Sequence, residues 1–381
     1  MEQCRQRLDV LDWNFADVPA DRGIHAIHPY PAKFIGDIPR QLIELYYPGN
    51  RAVVLDPFCG SGTTLVEAIS CGLEGWGIDL HPLACLIARV KTRQLGADFV
   101  RTAEAVILRG RARLATTDVS IPDIPNVDHW FKLDVQGALA ALLKEIEDVP
   151  SLPNREALQV ALSSIIVRVS NQESDTRYAA VDKNVSAEDV FSLFQRAAWN
   201  IAKAVSSFRD GLFAHLGKAT IVNRDILDVT PSDLPGNVGL VITSPPYPNA
   251  YEYWLYHKYR MFWLGMNPIA VREREIGARP HYFKTNHLDE RDFERQMGIC
   301  FHLLSQVMLP SAKACFLVGR SIIHGREIDN VSLLTRAARS HGFDALDVVE
   351  RDIPARRKSF NPSHGKITKE HLIVFSLRRD Q

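Results

Sequence analysis

The 381-residue sequence predicts an α/β fold, a Rossmann-like, doubly wound and mostly parallel sheet that carries an inserted helical subdomain. Three observations predict it. A short β-branched run, a glycine turn, a helical stretch and a second short strand follow one another within residues 51–91. Further short apolar runs recur at 217–229, at "VGLVI" before residue 243, and near the C-terminus. Between the second and third strands lie about 145 residues, far more than a crossover needs, and most of them carry apolar residues at helical spacing.

The first unit is the most informative. In "RAVVLDPFCGSGTTLVEAISCGLEGWGIDL", "AVVLD" reads as a buried parallel strand and "PFCGSG" as the turn. Gly60 and Gly62 allow positive φ and leave room for a ligand to approach the backbone. "TTLVEAISCG" reads as a helix capped by Thr63 or Thr64 and stopped at Gly72, and "GWGIDL" as a strand ending in Asp79. Such a unit binds a nucleoside, the terminal acid accepting hydrogen bonds from both ribose hydroxyls. A phosphate loop would need a lysine after the last glycine, where Thr63 stands, and a dinucleotide fingerprint a third glycine, where Leu65 stands. Asp56 at the tip of the first strand suits a ligand with a cationic amino group, such as the methionine half of S-adenosylmethionine.

Composition narrows the class without choosing a partner. Hydrophobic content of 46% and charged content of 24% suit a soluble globular protein, and a net charge of zero singles out no ligand. Six scattered cysteines without a CxxC pair read as reduced thiols in a cytoplasmic protein, with neither a disulfide framework nor a metal site. The charged N-terminus lacks the apolar core of a signal peptide and no apolar run is long enough to span a bilayer, so no membrane association is expected.

Three segments together resemble the amino-group DNA methyltransferases, the class I S-adenosylmethionine-dependent family that methylates N4 of cytosine or N6 of adenine. "DPFCGSGTT" resembles its cofactor motif, "TSPPY" its catalytic motif, and "HPYPAKFIGDIPRQLI" the segment that closes over the cofactor's methionine end. The resemblance implies cofactor contacts from Lys33, Phe34, Asp56, Phe58, Gly60, Gly62, Thr63, Asp79 and Asp225, and a catalytic loop of Ser244, Pro245, Pro246 and Tyr247. His28 and Tyr30 lie in the same N-terminal segment with weaker signals. Asp225 reads either as the acceptor for the cofactor's adenine amino group or as a helix N-cap.

The catalytic motif has a chemical rationale. An exocyclic amino nitrogen is a poor nucleophile because its lone pair is delocalised into the ring, so two acceptors facing its hydrogens help it turn tetrahedral. Ser244 offers a hydroxyl oxygen and Pro245 a carbonyl, which consecutive prolines hold rigid without a competing N–H. Tyr247 offers a π-face for a target base flipped out of the DNA stack. Serine in the first position resembles cytosine-N4 enzymes more than adenine-N6 enzymes, while no cysteine follows a proline, against cytosine-C5 chemistry.

The domain reading places the catalytic domain at 1–94 and 216–381, with the helical subdomain at 95–215 as a target-recognition module or as a packing or dimerisation module. Helices are expected over "NREALQVALSSIIVRVS" and "SAEDVFSLFQRAAWNIAKAVSSFRDGLFAHL". After the catalytic loop, an aromatic helix with Tyr251, Tyr253, Tyr256, Tyr259 and Trp263 precedes a charged loop with Arg272, Arg274, Arg279 and Lys284. A basic cluster of Arg356, Arg357, Lys358, Lys366 and Lys369 offers a phosphate-binding patch. The cofactor motif precedes the catalytic motif, a rearranged order relative to many family members with these motifs, and His81 replaces a frequent asparagine. DNA is the expected substrate, with a cognate restriction endonuclease as a possible partner. An RNA base methyltransferase and an inactive cofactor-binding DNA-binding subunit remain as alternatives.

Overall fold

Apolar runs too short for helices become strands because burial on both faces rewards continuous Val, Ile and Leu. The computed structural model describes residues 8, 11–19, 22–31, 35–116, 119–175, 177–210, 216–248, 252–283, 287–353 and 369–378. Its main sheet has seven strands: β1 (Val53–Asp56), β2 (Gly75–Asp79), β3 (Ala219–Asn223), β4 (Val238–Thr243), β5 (Met308–Gly319), β6 (Phe343–Asp352) and β7 (Lys369–Leu377). They lie in the order β3-β2-β1-β4-β5-β7-β6, parallel from β3 to β5, with β7 antiparallel to both its neighbours. The chain winds outward from β1 to β3 and returns to the other side at β4. This is the doubly wound class I methyltransferase arrangement expected from the sequence.

Alternate side chains of the central strands feed two cores. Val54, Leu240, Cys315 and Leu372 pack with Ile38 and Leu42 of helix α1 (Asp37–Tyr46) and with Trp13. Leu55, Val241, Phe316 and Ile373 pack on the opposite face with two late helices, Glu290–Val307 and Asn330–Ser340. Helix α2 (Thr63–Ser70) follows the glycine turn and α3 (Pro82–Thr92) follows β2. Between α3 and β3 stand α4 (Phe99–Ala115), α5 (Leu133–Glu147), α6 (Leu152–Val169) and α7 (Ala187–Asp210), with a small hairpin, Gln172–Ser174 and Arg177–Ala180, that the sequence did not signal. These helices share one hydrophobic cluster with α3 and with Trp254, Tyr259, Trp263 and Val271, from the chain after the Ser-Pro-Pro loop that follows β4.

That later segment differs from the sequence expectation. The aromatic stretch is two short helices, α8 (Tyr253–Tyr256) and α9 (Lys258–Trp263). The expected charged loop begins as a helix, α10 (Pro268–Arg274), because Asn267 caps it by accepting from Ile269 and Ala270 N–H, and Pro268 suits the first turn.

Two local arrangements explain how the glycine turn is built. Neither threonine caps α2. Its N-cap is Gly62 at φ 82°, while Thr64 Oγ1 donates to the Ile242 carbonyl of β4 at 3.3 Å. A Cβ on Gly62 would lie 2.8 Å from Ala88 Cβ of α3, so the turn and α3 touch only because that position has no side chain. Leu65, where a third glycine might stand, is accommodated from the other side. A Cβ on Gly77 of β2 would lie 2.6 Å from Leu65 Cδ1, so the strand yields the room that the helix does not.

The ends of β1 and β4 are tied by side chains. Thr243 Oγ1 donates to Asp56 Oδ1 at 2.6 Å, and Phe58 N–H donates to the same oxygen at 3.1 Å. Burial pushes Asp56 up to about 6 from 3.8, against the opposing pull of these bonds. The native state therefore holds a proton in that interval which the unfolded chain has released. This contribution to stability is full below about pH 4 and is lost as pH rises through about 6.

Gly62→Ala, at a positive φ and against Ala88, is expected to cost roughly 2–4 kcal/mol in chemical denaturation; an unchanged midpoint would contradict the packing described. Asp56→Asn keeps an acceptor for Thr243 but cannot ionise. Its Tm relative to the natural protein is expected to rise steadily between about pH 4 and pH 7, whereas a difference independent of pH would mean that Asp56 is not held protonated by burial.

Candidate active site

A parallel sheet offers a crevice outside the carboxyl ends of its strands where the winding direction reverses, here between β1 and β4. The pocket lies there. Its floor comes from the turn after β1 (Pro57 to Ser61 and Thr63), the end of β2 (Asp79, Leu80, His81), the end of β3 (Asp225, Ile226) and the start of the loop after β4 (Ser244, Pro246). Tyr30, Tyr253, Val271, Arg274, Glu275 and Ile276 close it from above.

Most of the residues singled out from the sequence meet in this wall, and each is held by its element. Gly60 turns the chain at φ 48°, its N–H donating to Asp79 Oδ2 at 2.7 Å, while His81 N–H donates to Asp79 Oδ1 at 2.8 Å. Each carboxylate oxygen keeps a further lone pair for a ligand. Burial pushes Asp79 up to about 6, with those two N–H bonds opposing. Asp225 lines the pocket and also caps the turn Ile226–Asp228, accepting from Leu227 N–H at 3.0 Å, which is the capping role among the two sequence readings. Its second oxygen accepts from Arg274 Nε at 2.9 Å. Lys91, buried on α3, donates to Ser61 Oγ at 3.1 Å and braces the glycine turn from behind.

Others stand behind the wall. Asp56 is 1% exposed and lies beneath the pocket in its bonds to Thr243 and Phe58. Pro245 is buried, and Tyr247 packs with Ile276, Tyr282 and Phe293 in the core under the loop. A Cβ on Gly277 would lie 2.7 Å from the Tyr247 carbonyl oxygen, so the close seat of the loop after β4 depends on that glycine. Lys33 and Phe34 lie outside the described residues, as do Tyr251, Lys284, Arg356, Arg357, Lys358 and Lys366. Of the aromatic stretch, Tyr256, Tyr259 and Trp263 are buried. Arg272 sits 5.5 Å over Trp254, Arg279 sits 5.2 Å over Phe283, and Lys369 pairs with Glu350.

The structure adds residues to which sequence reasoning gave little or no role in the pocket. Tyr30 stacks on Tyr253 at 5.8 Å and on His257 at 4.8 Å, giving the pocket an aromatic roof. Burial pushes His81 down to about 4, so it stands neutral in the wall. Glu275 directly follows Arg274 in the charged stretch, and its sequence carries no sign of a place in the pocket. It is buried, accepts from the N–H groups of Tyr253 and Trp254, and fixes the start of α8 over the pocket. A polar hub supports this roof from the helical side. His28 Nε2 bonds Ser163 Oγ of α6 at 2.9 Å, and Arg260 of α9 donates to the Ser163 carbonyl at 3.0 Å and pairs with Asp175.

The family model described as DNA methylase, N6_N4_Mtase, matches residues 5–89, the stretch from the N-terminal segment through the glycine turn into α3. Type II methyltransferase M.MvaI of Kocuria varians is 26% identical over 241 residues, covering 58% of this chain and 53% of that protein. Type II methyltransferase M.AvaI of a Nostoc species is 26% identical over 276 residues, covering 65% of this chain and 54% of that protein. Type II methyltransferase M.MjaII of Methanocaldococcus jannaschii is 37% identical over 89 residues, covering 22% and 17%. The chain thus spans about half the length of the Kocuria and Nostoc relatives it matches. With the motifs gathered at one pocket on a class I sheet, the chain is similar to the amino-group DNA methyltransferases, whose cofactor is S-adenosylmethionine.

Proposed function

We propose that the protein transfers a methyl group from S-adenosylmethionine to an exocyclic amino group of a base in DNA, N4 of cytosine in preference to N6 of adenine. One observation carries the proposal: the loop that begins Ser244-Pro245-Pro246 opens into the same pocket as the glycine turn and Asp79.

The residues present fit the cofactor. Asp79 retains lone pairs for the two ribose hydroxyls, Leu80 and Ile226 offer apolar surface for adenine, and Gly60 leaves the turn open, a Cβ there meeting nothing closer than Tyr30 at 3.7 Å. When bound, the cofactor supplies an electrophilic methyl group on a sulfonium. The chain's own part is to hold the amino nitrogen in line and receive its hydrogens in hydrogen bonds, Ser244 through Oγ and Pro245 through its carbonyl. The lone pair is freed as the nitrogen leaves the ring plane, and the displaced proton passes to solvent. Tyr30 and Tyr253 shield the pocket from water, and a base must leave the DNA stack to reach it.

Serine at the head of the loop supports cytosine over adenine. The zero net charge leaves DNA contact to local cations such as Arg272 and Arg279. We assign residues 95–215 to the inserted helical subdomain between the two parts of the catalytic domain. Its shared core with Trp254, Tyr259 and Trp263 supports a role in holding the roof of the pocket.

Nucleoside mass spectrometry after incubation with S-adenosylmethionine and unmethylated DNA, or total RNA, tests the proposal. N4-methylcytosine in DNA alone is expected; N6-methyladenine would correct the base, and modification of RNA alone or of neither would overturn the reading. Ser244→Ala is expected to lower single-turnover methyl transfer about 100-fold while changing the cofactor Kd less than about threefold. Asp79→Asn is expected to do the reverse, weakening the cofactor by roughly 10- to 100-fold. Equal loss of cofactor affinity in both variants would contradict these roles.

A further inference from the structure

The wall of the pocket holds a buried acid that, among the described residues, faces no cation. Glu275 is 7% exposed, with Oε1 accepting from Tyr253 N–H at 2.8 Å and Oε2 from Trp254 N–H at 2.9 Å. Those bonds orient the carboxylate without supplying a counter-charge. Arg274, next in sequence, turns its guanidinium to Asp225 and Asp228. The charged groups that act on Glu275 are Glu252 and Asp79, both acids, and Arg279 bears on Glu252. Burial, with these two acids adding to it, raises Glu275 to about 8. In the empty pocket the carboxyl is therefore kept protonated near neutral pH, and ionising it beside Asp79, in a wall shared with the glycine turn, is costly unless the occupant of the pocket is positive.

The family's cofactor is such an occupant, carrying a sulfonium and an α-ammonium group. Asp56, the acid that the sequence offered for this charge, lies beneath the wall and accepts from Thr243 and Phe58 instead. We propose that Glu275 is the counter-ion for the cationic half of S-adenosylmethionine, and therefore a cofactor-binding residue supplied by the segment after the catalytic loop. The inference rests on the cofactor reading above and requires no assumption about the nucleic acid. It also makes binding and roof closure one event: the carboxylate that meets the cofactor is the group that anchors the start of α8, where Tyr253 stacks on Tyr30.

Isothermal titration calorimetry on the full chain and on Glu275→Gln tests this with three probes. S-adenosylmethionine carries both positive centres, S-adenosylhomocysteine only the ammonium, and 5′-methylthioadenosine neither. The glutamine variant is expected to weaken S-adenosylmethionine by roughly tenfold or more and to leave 5′-methylthioadenosine within about twofold, with Glu275→Asp recovering part of the loss. Parallel loss for S-adenosylhomocysteine would place the ammonium opposite Glu275; loss confined to S-adenosylmethionine would place the sulfonium there. Undiminished S-adenosylmethionine affinity in the glutamine variant would overturn the proposal. So would equal weakening of all three ligands with a lowered Tm of the ligand-free variant, which would mark a purely structural residue. Failure of the unaltered chain to bind S-adenosylmethionine would sink the cofactor reading along with it, whereas binding that ignores the substitution sinks only this inference.

Discussion

The hydrogen bond between Thr243 and Asp56 is the constraint on which the site depends. It joins the carboxyl ends of β1 and β4, the two strands between which the winding of the sheet reverses. Because the strands stay together to their tips, the glycine turn leaving one and the Ser-Pro-Pro loop leaving the other enter the same space. The bond is buried, so breaking it would strand a carboxyl and a hydroxyl away from water. Thr64, bonded to the Ile242 carbonyl, adds a second tie between the same two connections.

Above this floor the chain builds a roof from parts distant in sequence. Tyr30 comes from the N-terminal segment, Tyr253 from the stretch after the Ser-Pro-Pro loop, and Glu275 and Gly277 from the turn after α10. The turn does two jobs. Glu275 fixes the start of α8, and Gly277 lets the backbone of Tyr247 approach closely. Helices α3 to α7 then pack against Trp254, Tyr259 and Trp263, so the insertion shares its core with the chain that covers the pocket. The cost is concentrated here, in Asp56, Asp79 and Glu275, each held protonated beyond its ordinary range by burial. Sites that must receive a charged ligand commonly carry such local instability when empty.

The parts legible in the sequence were those whose signal is local. The strand–turn–helix–strand unit and Asp79 at its end follow from spacing and turn chemistry within a few residues, and Ser244 after β4 stands out through the resemblance of its motif. What was not legible depends on neighbours far along the chain. Asp56 reads as a ligand-facing acid until Thr243 is seen beside it. Leu65 reads as a missing glycine until Gly77 of β2 is seen to yield the space. Thr63 and Thr64 read as helix caps, yet a left-handed Gly62 takes that place and frees the Thr64 hydroxyl for β4. Glu275 sits among arginines and reads as surface charge, because nothing in its local pattern reveals that Tyr253 and Trp254 fold over it.

The most direct test of the account is a structure of the chain with S-adenosylhomocysteine bound. The account predicts ribose hydroxyls on Asp79, adenine against Leu80 and Ile226, and the sulfur directed toward Ser244. An adenosine bound elsewhere, or a sulfur facing away from Ser244, would contradict the claim that the two motifs form one methyl-transfer site.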